Sequence, residues 1–299
     1  MSIIISSTLD PYFNLATEEY FLMNDIFDED ILFLWQSKSA FVIGRNQNPF
    51  IEINPKYFET EIPVIRRISG GGTIFQDEFT IDFSVITKKY GRKINDYLYF
   101  LKPIIGLLND LGIEATFKPK SHIFVGDAKI SGNAQAFINN RLLHHGTLLF
   151  NSNLNVIFEA LVDFRDQTST KNHISSNKQK VENISVLLDG NLSIDEFKVM
   201  LVNRIATNLN IEKTYYFLSD VDIIEIEKIA QDKYRSWNWN FGKTKEFSVT
   251  IKIHSFNINL IVNNGLITDV DNLNYEAFLG LRYLSKDYFK VFYGFNSDK

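Results

Sequence analysis

Arg66-Arg67-Ile68-Ser69-Gly70-Gly71-Gly72-Thr73-Ile74-Phe75 is the stretch on which the reading of this chain turns. Three consecutive glycines leave backbone N–H groups uncovered and let a ligand approach the chain closely. Such a turn can form a nest for an anion such as a phosphate. Two arginines just ahead of it supply charge and bidentate donors. A tight connection between strands, with solvated arginines, explains the same residues without a ligand. The Gly-x-Gly-x-x-Gly and Walker spacings are both absent, so neither nucleotide-binding fold follows from these glycines. Around the turn, residues 64–67, 73–75 and 80–86 read as short strands.

Working outward, residues 13–24 carry Phe13, Leu15, Ala16, Tyr20 and Phe21 at helical spacing. Residues 31–44 read as two strands joined at Gln36-Ser37-Lys38-Ser39. Residues 94–111 place Leu98, Leu101, Ile104, Ile105, Leu108 and Leu111 on a helix that stops before Gly112. Residues 128–136 and 141–150 predict a hairpin around Asn139-Asn140, which tolerate positive φ. Short helices are expected at 154–161, 194–209 and 221–230. The polar run 166–180 reads as a surface loop. Residues 247–270, with an Asn264-Gly265 turn, predict a small antiparallel sheet, followed by a helix at 275–284. Strands and helices mix without strict βαβ alternation, which predicts an α+β fold. A domain boundary is expected near residue 245, giving 1–245 and 246–299.

The chain has 299 residues, 45% hydrophobic and 22% charged, the composition of a globular protein. Its formal net charge of -5 argues against wrapping nucleic acid. No apolar run reaches the length a membrane span needs, and the first residues lack the basic start of a signal peptide. The absence of cysteine removes disulfides, thiolate metal sites and cysteine nucleophiles. The expected compartment is the cytoplasm.

Two further segments carry chemistry. In Gly126-Asp127-Ala128-Lys129-Ile130-Ser131-Gly132-Asn133-Ala134-Gln135 a lysine sits in a strand among small residues. A ligand can lie against the backbone there while the ammonium meets its anion; an exposed edge lysine is the competing explanation. In His144-His145-Gly146-Thr147-Leu148-Leu149 the paired histidines point to opposite faces of a strand, so they do not share one metal ion. No residue is assigned as a metal ligand.

Taken in order, these segments resemble the lipoate-protein ligase family. The resemblance begins at Asn14-Leu15-Ala16-Thr17-Glu18-Glu19-Tyr20, then Leu34-Trp35 and Val42-Ile43-Gly44-Arg45-Asn46-Gln47-Asn48. It runs through the glycine turn, the Lys129 strand and the histidine pair. It closes with Val181-Glu182-Asn183-Ile184 and Ser236-Trp237-Asn238-Trp239-Asn240-Phe241-Gly242. It implies a large mixed-sheet catalytic domain of the biotin/lipoate ligase type, with a small C-terminal α+β accessory domain. It also implies that lipoate is adenylated with ATP and Mg2+, and that the lipoyl group then passes to a lysine of an acceptor. The acceptors implied are the glycine-cleavage H protein and dehydrogenase E2 lipoyl domains.

By the same resemblance, Arg67, Ser69, Gly70, Gly71, Gly72, Thr73, Ile74 and Phe75 hold the adenylate, and Lys129 meets both carboxylate and α-phosphate. Trp35, Gly71, Lys129 and His145 meet the acyl substrate, and Trp35 and Phe75 help line an apolar tunnel. The sequence departs from the family pattern at Gln76, where histidine is common, at Ser121-His122, where Asn-Asp is common, and at Lys180, where arginine is usual. Those departures leave two other readings: a lipoyltransferase that takes preformed lipoyl-adenylate or a lipoylated protein, and a non-catalytic lipoyl- or acceptor-binding protein. The acyl-cysteine route of the related octanoyltransferases is excluded because the chain has no cysteine.

Overall fold

The computed structural model describes residues 1–88, 91, 94–118, 121–161, 168–169, 179–208 and 212–297. The expected polar loop at 166–180 lies for the most part outside the described residues. In chain order the first elements are β1 (Ser2–Ile5), α1 (Pro11–Met23), β2 (Ile31–Trp35), β3 (Ala40–Ile43), α2 (Pro49–Glu52), β4 (Val64–Arg66), β5 (Ile74–Gln76), β6 (Thr80–Thr87) and α3 (Tyr97–Asp110). Next come β7 (Ala115–Lys118), β8 (His122–Val125), β9 (Ala128–Ile138), β10 (Arg141–Leu149), α4 (Leu154–Ala160), β11 (Thr168–Ser169), α5 (Ile184–Leu187), α6 (Ile194–Asn208), β12 (Thr214–Tyr215), α7 (Asp220–Ile229) and α8 (Trp237–Asn240). The last are β13 (Phe247–Ile253), β14 (Phe256–Asn263), β15 (Leu266–Val270) and α9 (Lys286–Ser297).

An eight-stranded mixed sheet, ordered β12-β1-β2-β6-β10-β9-β8-β7, forms the centre. Its strands alternate between two covered faces. Leu32, Leu34, Ile81, Phe83 and Leu142 meet α3 and α6 through Leu101, Ile104, Phe197 and Leu201. Ile31, Phe33, Trp35 and Leu143 face the other way, toward α1 and α7, through Leu15, Phe21 and Ile226. α1 begins where the Asp10 side chain accepts from the Tyr12 N–H and Pro11 occupies the first turn. The β9–β10 hairpin turns at Asn139 and Asn140, at φ 49° and 57°, as their residue type predicts.

A three-stranded sheet, β4-β3-β5, lies over the α1 side and carries the glycine turn between β4 and β5. The two strands expected within 31–44 therefore belong to different sheets. A further sheet, β11-β13-β14-β15, forms the C-terminal unit. Phe50 of α2 lies within its core, 5.2 Å from the Tyr283 ring and 5.9 Å from the Phe247 ring.

The helix expected at 275–284 does not form. A 3-10 turn covers Leu273–Phe278, and Gly280 (φ 79°) and Leu284 (φ 54°) then leave helical geometry. The chain there returns to β15: Ile267 donates to the Leu281 carbonyl and Tyr283 to that of Gly265. The terminal helix is α9, further along. Sheet hydrogen bonds offered by β15 outweigh the helical spacing of Tyr275, Phe278 and Leu279.

Candidate active site

A cavity of about 270 Å³ opens between the α1 face of the large sheet and the glycine turn. Leu15 and Glu18 of α1, Trp35 of β2, Val42 of β3 and Ile74 and Gln76 of β5 line one part. Arg67, Gly71, Gly72 and Thr73 line it from the turn, and Lys129, Gly132, Asn133 and Ala134 from β9. His145, Gly146 and Thr147 of β10, Asp82 of β6, and Ser121, His122 and Gln179 complete the wall. Of the residues expected from sequence, Trp35, Arg67, Gly71, Gly72, Thr73, Ile74, Lys129 and His145 therefore share one cavity. Ser69, Gly70 and Phe75 do not line it.

Phe75 is turned the other way by strand alternation. Ile74 and Gln76 face the cavity, while Phe75 packs 5.4 Å from the Phe41 ring in a separate apolar cluster. The expected tunnel residue is thus a core residue, and Ile74, with Leu15, Val42 and Ala134, takes its place.

Lys129 reaches the cavity because β9 is irregular. Phe124 pairs with Lys129 but Ile123 pairs with Ser131, so Ile130 is an extra residue. A regular strand would set Lys129 and Gly132 on opposite faces. The bulge brings both to the cavity and sends Ile130 into the core under α3. The Lys129 ammonium packs directly against Gly132, where a Cβ would lie 3.5 Å from Nζ, an ordinary contact distance. The Lys129 backbone is held on its other side by Lys180 and Glu182. Burial, with Arg67 nearby, lowers the Lys129 pKa to about 8. No carboxylate pairs with it among the described residues.

The two arginines of the glycine-turn motif have separate tasks. Arg66 points away from the cavity and is fully buried. Its guanidinium donates to the carbonyls of Gly44, Arg45, Gln47, Trp239 and Asn240. Arg67 folds under the turn. Its Nη2 donates to the carbonyls of Gly70 (2.6 Å) and Gly72 (2.8 Å), and its Nη1 to that of Val42. Both are thus tied to backbone carbonyls, and what Arg67 offers a ligand is mainly its positive field behind the turn. Arg66 is thus a scaffold arginine outside the cavity, while Arg67, the one expected among the adenylate-holding residues, lines it.

Gly71 adopts φ 93°, and a Cβ there would meet the Arg67 Nη2 at 2.8 Å. At Gly70 no heavy atom lies within 4 Å of the Cβ position and φ is not in the left-handed region. Gly70→Ala is therefore expected to leave the melting temperature of the free protein within about 2 °C, a surface-scale change. Any loss of ligand affinity then reports obstruction at the turn. Gly71→Ala should destabilise the protein by about 1–2 kcal/mol, measured by urea unfolding. Equal destabilisation by both would contradict this assignment.

Ser69 acts through a neighbour. His145 Nδ1 lies 3.0 Å from both oxygens of the buried Glu18, whose carboxylate also accepts from the Ser84 hydroxyl. With that N–H directed to Glu18, the His145 Nε2 accepts from Ser69 Oγ at 2.6 Å. Ser69 Oγ in turn accepts from Arg67 Nε. His144, its neighbour on β10, faces the opposite side and stacks on Phe100 of α3 at 4.4 Å, as alternation predicts.

Glu18 and Asp82 were not among the expected site residues. A glutamate in register with Leu15 and Phe21 on the buried stripe of α1 is a signal that sequence carries. Asp82 alternates with Ile81 and Phe83 and so reads as solvent-facing, although the sheet is covered on both sides. The carboxylates that stand near the departures are occupied elsewhere. Asp77 accepts from the Phe79 and Asn153 N–H groups and the Thr80 hydroxyl. Asp127 pairs with Lys180 at the surface.

The cavity thus has an apolar part and a cationic part, and its lining is compatible with an amphipathic anion. The family model described as the lipoyl protein ligase A/B catalytic domain matches residues 10–206. Lipoate–protein ligase 1 of Staphylococcus aureus is 38% identical over 240 residues, covering 80% of this chain and 72% of that protein. A lipoate-protein ligase of Bacillus subtilis is 35% identical over 266 residues, covering 87% and 80%. The crystal structure of P. falciparum LipL1 in complex with lipoate is similar with a TM-score of 0.65 at 27% identity, covering 90% of this chain and 84% of that one. The chain belongs to the lipoyl protein ligase A/B catalytic domain family. No helix among the described residues is long and apolar enough to cross a membrane.

Proposed function

We propose that this chain activates lipoate with ATP and then transfers the lipoyl group to a lysine amine of an acceptor domain. The observation that carries the reading is Lys129, a partly buried ammonium without a carboxylate partner among the described residues, on the wall of a cavity that also has apolar lining. In the first step a lipoate carboxylate oxygen attacks the α-phosphorus, and the bond to the bridging oxygen breaks to release pyrophosphate. The two reactants are both anionic, so a fixed cation between them lowers their repulsion and stabilises charge on the α-phosphate. Glycine-turn N–H groups, backed by Arg67, add donors on the phosphate side. In the second step the acceptor amine attacks the acyl carbon, AMP leaves, and the amine loses a proton to give the amide.

Magnesium belongs to this reading as the counter-ion that ATP carries. Near Lys129 the wall offers neutral oxygens from Ser121, Asn133 and Gln179 and no carboxylate among the described residues. These residues do not form a magnesium centre of their own, and no step is routed through the ion. The acceptor in this reading is a lipoyl domain, of glycine-cleavage H protein or of a dehydrogenase E2 subunit, in the cytoplasm. Residues 1–245 then serve as the catalytic part and 246–299 as the accessory part.

Lipoate-dependent exchange of pyrophosphate into ATP, with the mass of an apo lipoyl domain followed in parallel, tests the reading. ATP with lipoate should add one lipoyl group, and omission of either should add none. Because Asp77 and Asp127 are occupied elsewhere, supplied lipoyl-adenylate should modify the acceptor faster than lipoate plus ATP. Modification from the adenylate alone, without exchange, would make the chain a transferase. No modification from either donor would sink the proposal.

A further inference from the structure

β9 changes neighbours where Lys129 sits. Its pairing with β10 ends at Ser131 and Leu148. Beyond that point residues 180–182 run along the edge that β10 has left. The Lys129 N–H donates to the Lys180 carbonyl at 2.8 Å, and the Glu182 N–H donates to the Lys129 carbonyl at 3.2 Å. Both backbone groups of Lys129 are therefore engaged by this segment, while Phe124 of β8 pairs on the other side. Where the lysine stands depends on what anchors residues 180–182.

Asn183, the next residue, supplies the anchor. It caps α5, a position where an asparagine side chain ordinarily accepts from the first helical N–H groups. Here it makes no cap bond. Its Oδ1 instead accepts from the Ser152 N–H at 3.0 Å, and its Nδ2 donates to the Ser152 carbonyl at 2.9 Å, both in buried surroundings. Ser152 follows β10, and its hydroxyl lies 2.6 Å from that of Thr80. Thr80 opens β6 and donates to Asp77, which directly follows Gln76 of the cavity wall. A buried polar path thus runs from the strand after the glycine turn to the segment that holds Lys129. Asn183, Ser152 and Thr80 are all buried, and none of them lines the cavity.

We propose that Asn183, Ser152 and Thr80 form a positioning unit that sets Lys129 against the glycine turn, so that activation depends on three residues outside the cavity. The inference rests on the ligase reading above and names what holds its lysine in place. A displacement of about 1 Å at a reacting centre costs on the order of a hundredfold in rate. Without the Asn183 amide, residues 180–182 lose their tie to the end of β10, and Lys129 gains both freedom and water. Water relieves the burial that holds its pKa at about 8, so the ammonium then titrates higher. The other charged or titratable groups around the cavity are Glu18, Arg67, Asp82, His122 and His145. Beside the segment, Lys180 pairs with Asp127, and Glu182 accepts from the Asn183 N–H. Substitution of Asn183 or Thr80 by a neutral residue removes none of these charges, so a shift in the Lys129 titration reports its position.

The test compares wild type with Asn183→Ala and with Thr80→Val, a substitution that keeps the shape of the side chain and serves where Asn183→Ala does not fold. Two measurements are made: lipoate-dependent pyrophosphate exchange, and titration of the 13C-methylated Lys129 amine by NMR, assigned by its absence in Lys129→Arg. Asn183→Ala should lower kcat for exchange by about ten- to a hundredfold, with KM for ATP little changed, the mark of an interaction felt in the transition state. Its Lys129 titration should move upward from the wild-type value, toward the ordinary 10.5. Thr80→Val should show the same two changes at smaller size. Asn183→Asp, which keeps the acceptor for the Ser152 N–H, should recover part of the rate. An unmoved Lys129 titration in both variants overturns the unit, whatever their melting temperatures, because a merely structural role lowers stability alone. A moved titration with wild-type kcat overturns it as well, since Lys129 then tolerates displacement. Wild type that exchanges no pyrophosphate, with a titration that still moves in Asn183→Ala, leaves the anchoring of Lys129 standing and removes the ligase reading. Wild type that exchanges, matched by both variants, removes the unit and leaves the ligase.

Discussion

Lys129→Ala is expected to reduce lipoate-dependent pyrophosphate exchange on the order of a hundred- to a thousandfold, the usual loss when one preorganised charge is removed from a reacting centre. The fold should survive, because the Lys129 side chain carries no hydrogen bond or ion pair among the described residues. Stability should even rise at neutral pH in Lys129→Met. The folded protein holds this proton less tightly than the unfolded chain, with a pKa of about 8 against 10.5. Folding stability therefore increases with pH through that window, and below it the folded state carries the full penalty of a buried cation. The methionine variant removes both the penalty and the slope. The same titration marks activity: kcat/KM for ATP should fall as pH rises past about 8, since the free enzyme loses its cation there. Lys129→Arg, whose charge persists, should flatten that descent even if its rate is low. Near-normal exchange in Lys129→Ala, or a flat profile to pH 9.5 in wild type, would remove Lys129 from the activation step.

Arg66→Met is expected to lower folding stability by about 3–5 kcal/mol, the scale of breaking a buried charged network, with no direct effect on the cavity lining. The guanidinium holds five backbone carbonyls: three from residues 44–47, which lead into α2, and two from α8. Trp239 closes the arrangement by donating its indole N–H to the Arg66 carbonyl, and Asn240 accepts from the Arg66 N–H. Methionine fills much of the volume but leaves those carbonyls buried and unpaired. Lysine, with three donors on a point charge, cannot reach the same five. Total stability of a domain is about 5–15 kcal/mol, so the variant should be largely unfolded under mild denaturant. A shift of the urea midpoint at unchanged slope measures it. Wild-type stability in Arg66→Met would contradict the scaffold role.

Local periodicity accounts for much of this fold. α1, α3, α6 and the β9–β10 hairpin follow from apolar spacing and from two asparagines that accept positive φ. Short strands, β7 and β8 among them, escape such a reading because four residues are too few to show alternation. The terminal helix lies further along than its spacing suggests, because hydrogen bonds to β15, made across the C-terminal sheet, override local helical periodicity. At the site, the glycine turn and a lysine among small residues are chemical signals carried by residue type alone. So is the exclusion of thiol chemistry, since a missing residue type needs no geometry.

Side-chain aim, by contrast, is a property of three dimensions. Arg66 and Arg67 are indistinguishable as text, yet strand alternation sends one to α8 and the other beneath the turn. Ile74 faces the cavity as expected, and Phe75 turns out of it into the core for the same reason. Glu18, His145 and Ser69 are far apart in the chain and meet because α1, β10 and the glycine turn pack face to face. Lys129 points into the cavity because one extra residue, Ile130, shifts the β8–β9 register and reverses the alternation. Residue type and spacing alone establish which chemical groups the protein owns and where most of its helices and strands run, because propensity and periodicity act within a few residues. Tertiary packing settles which of those groups face one another, because a side chain's direction depends on register, and register is set by partners distant in the chain.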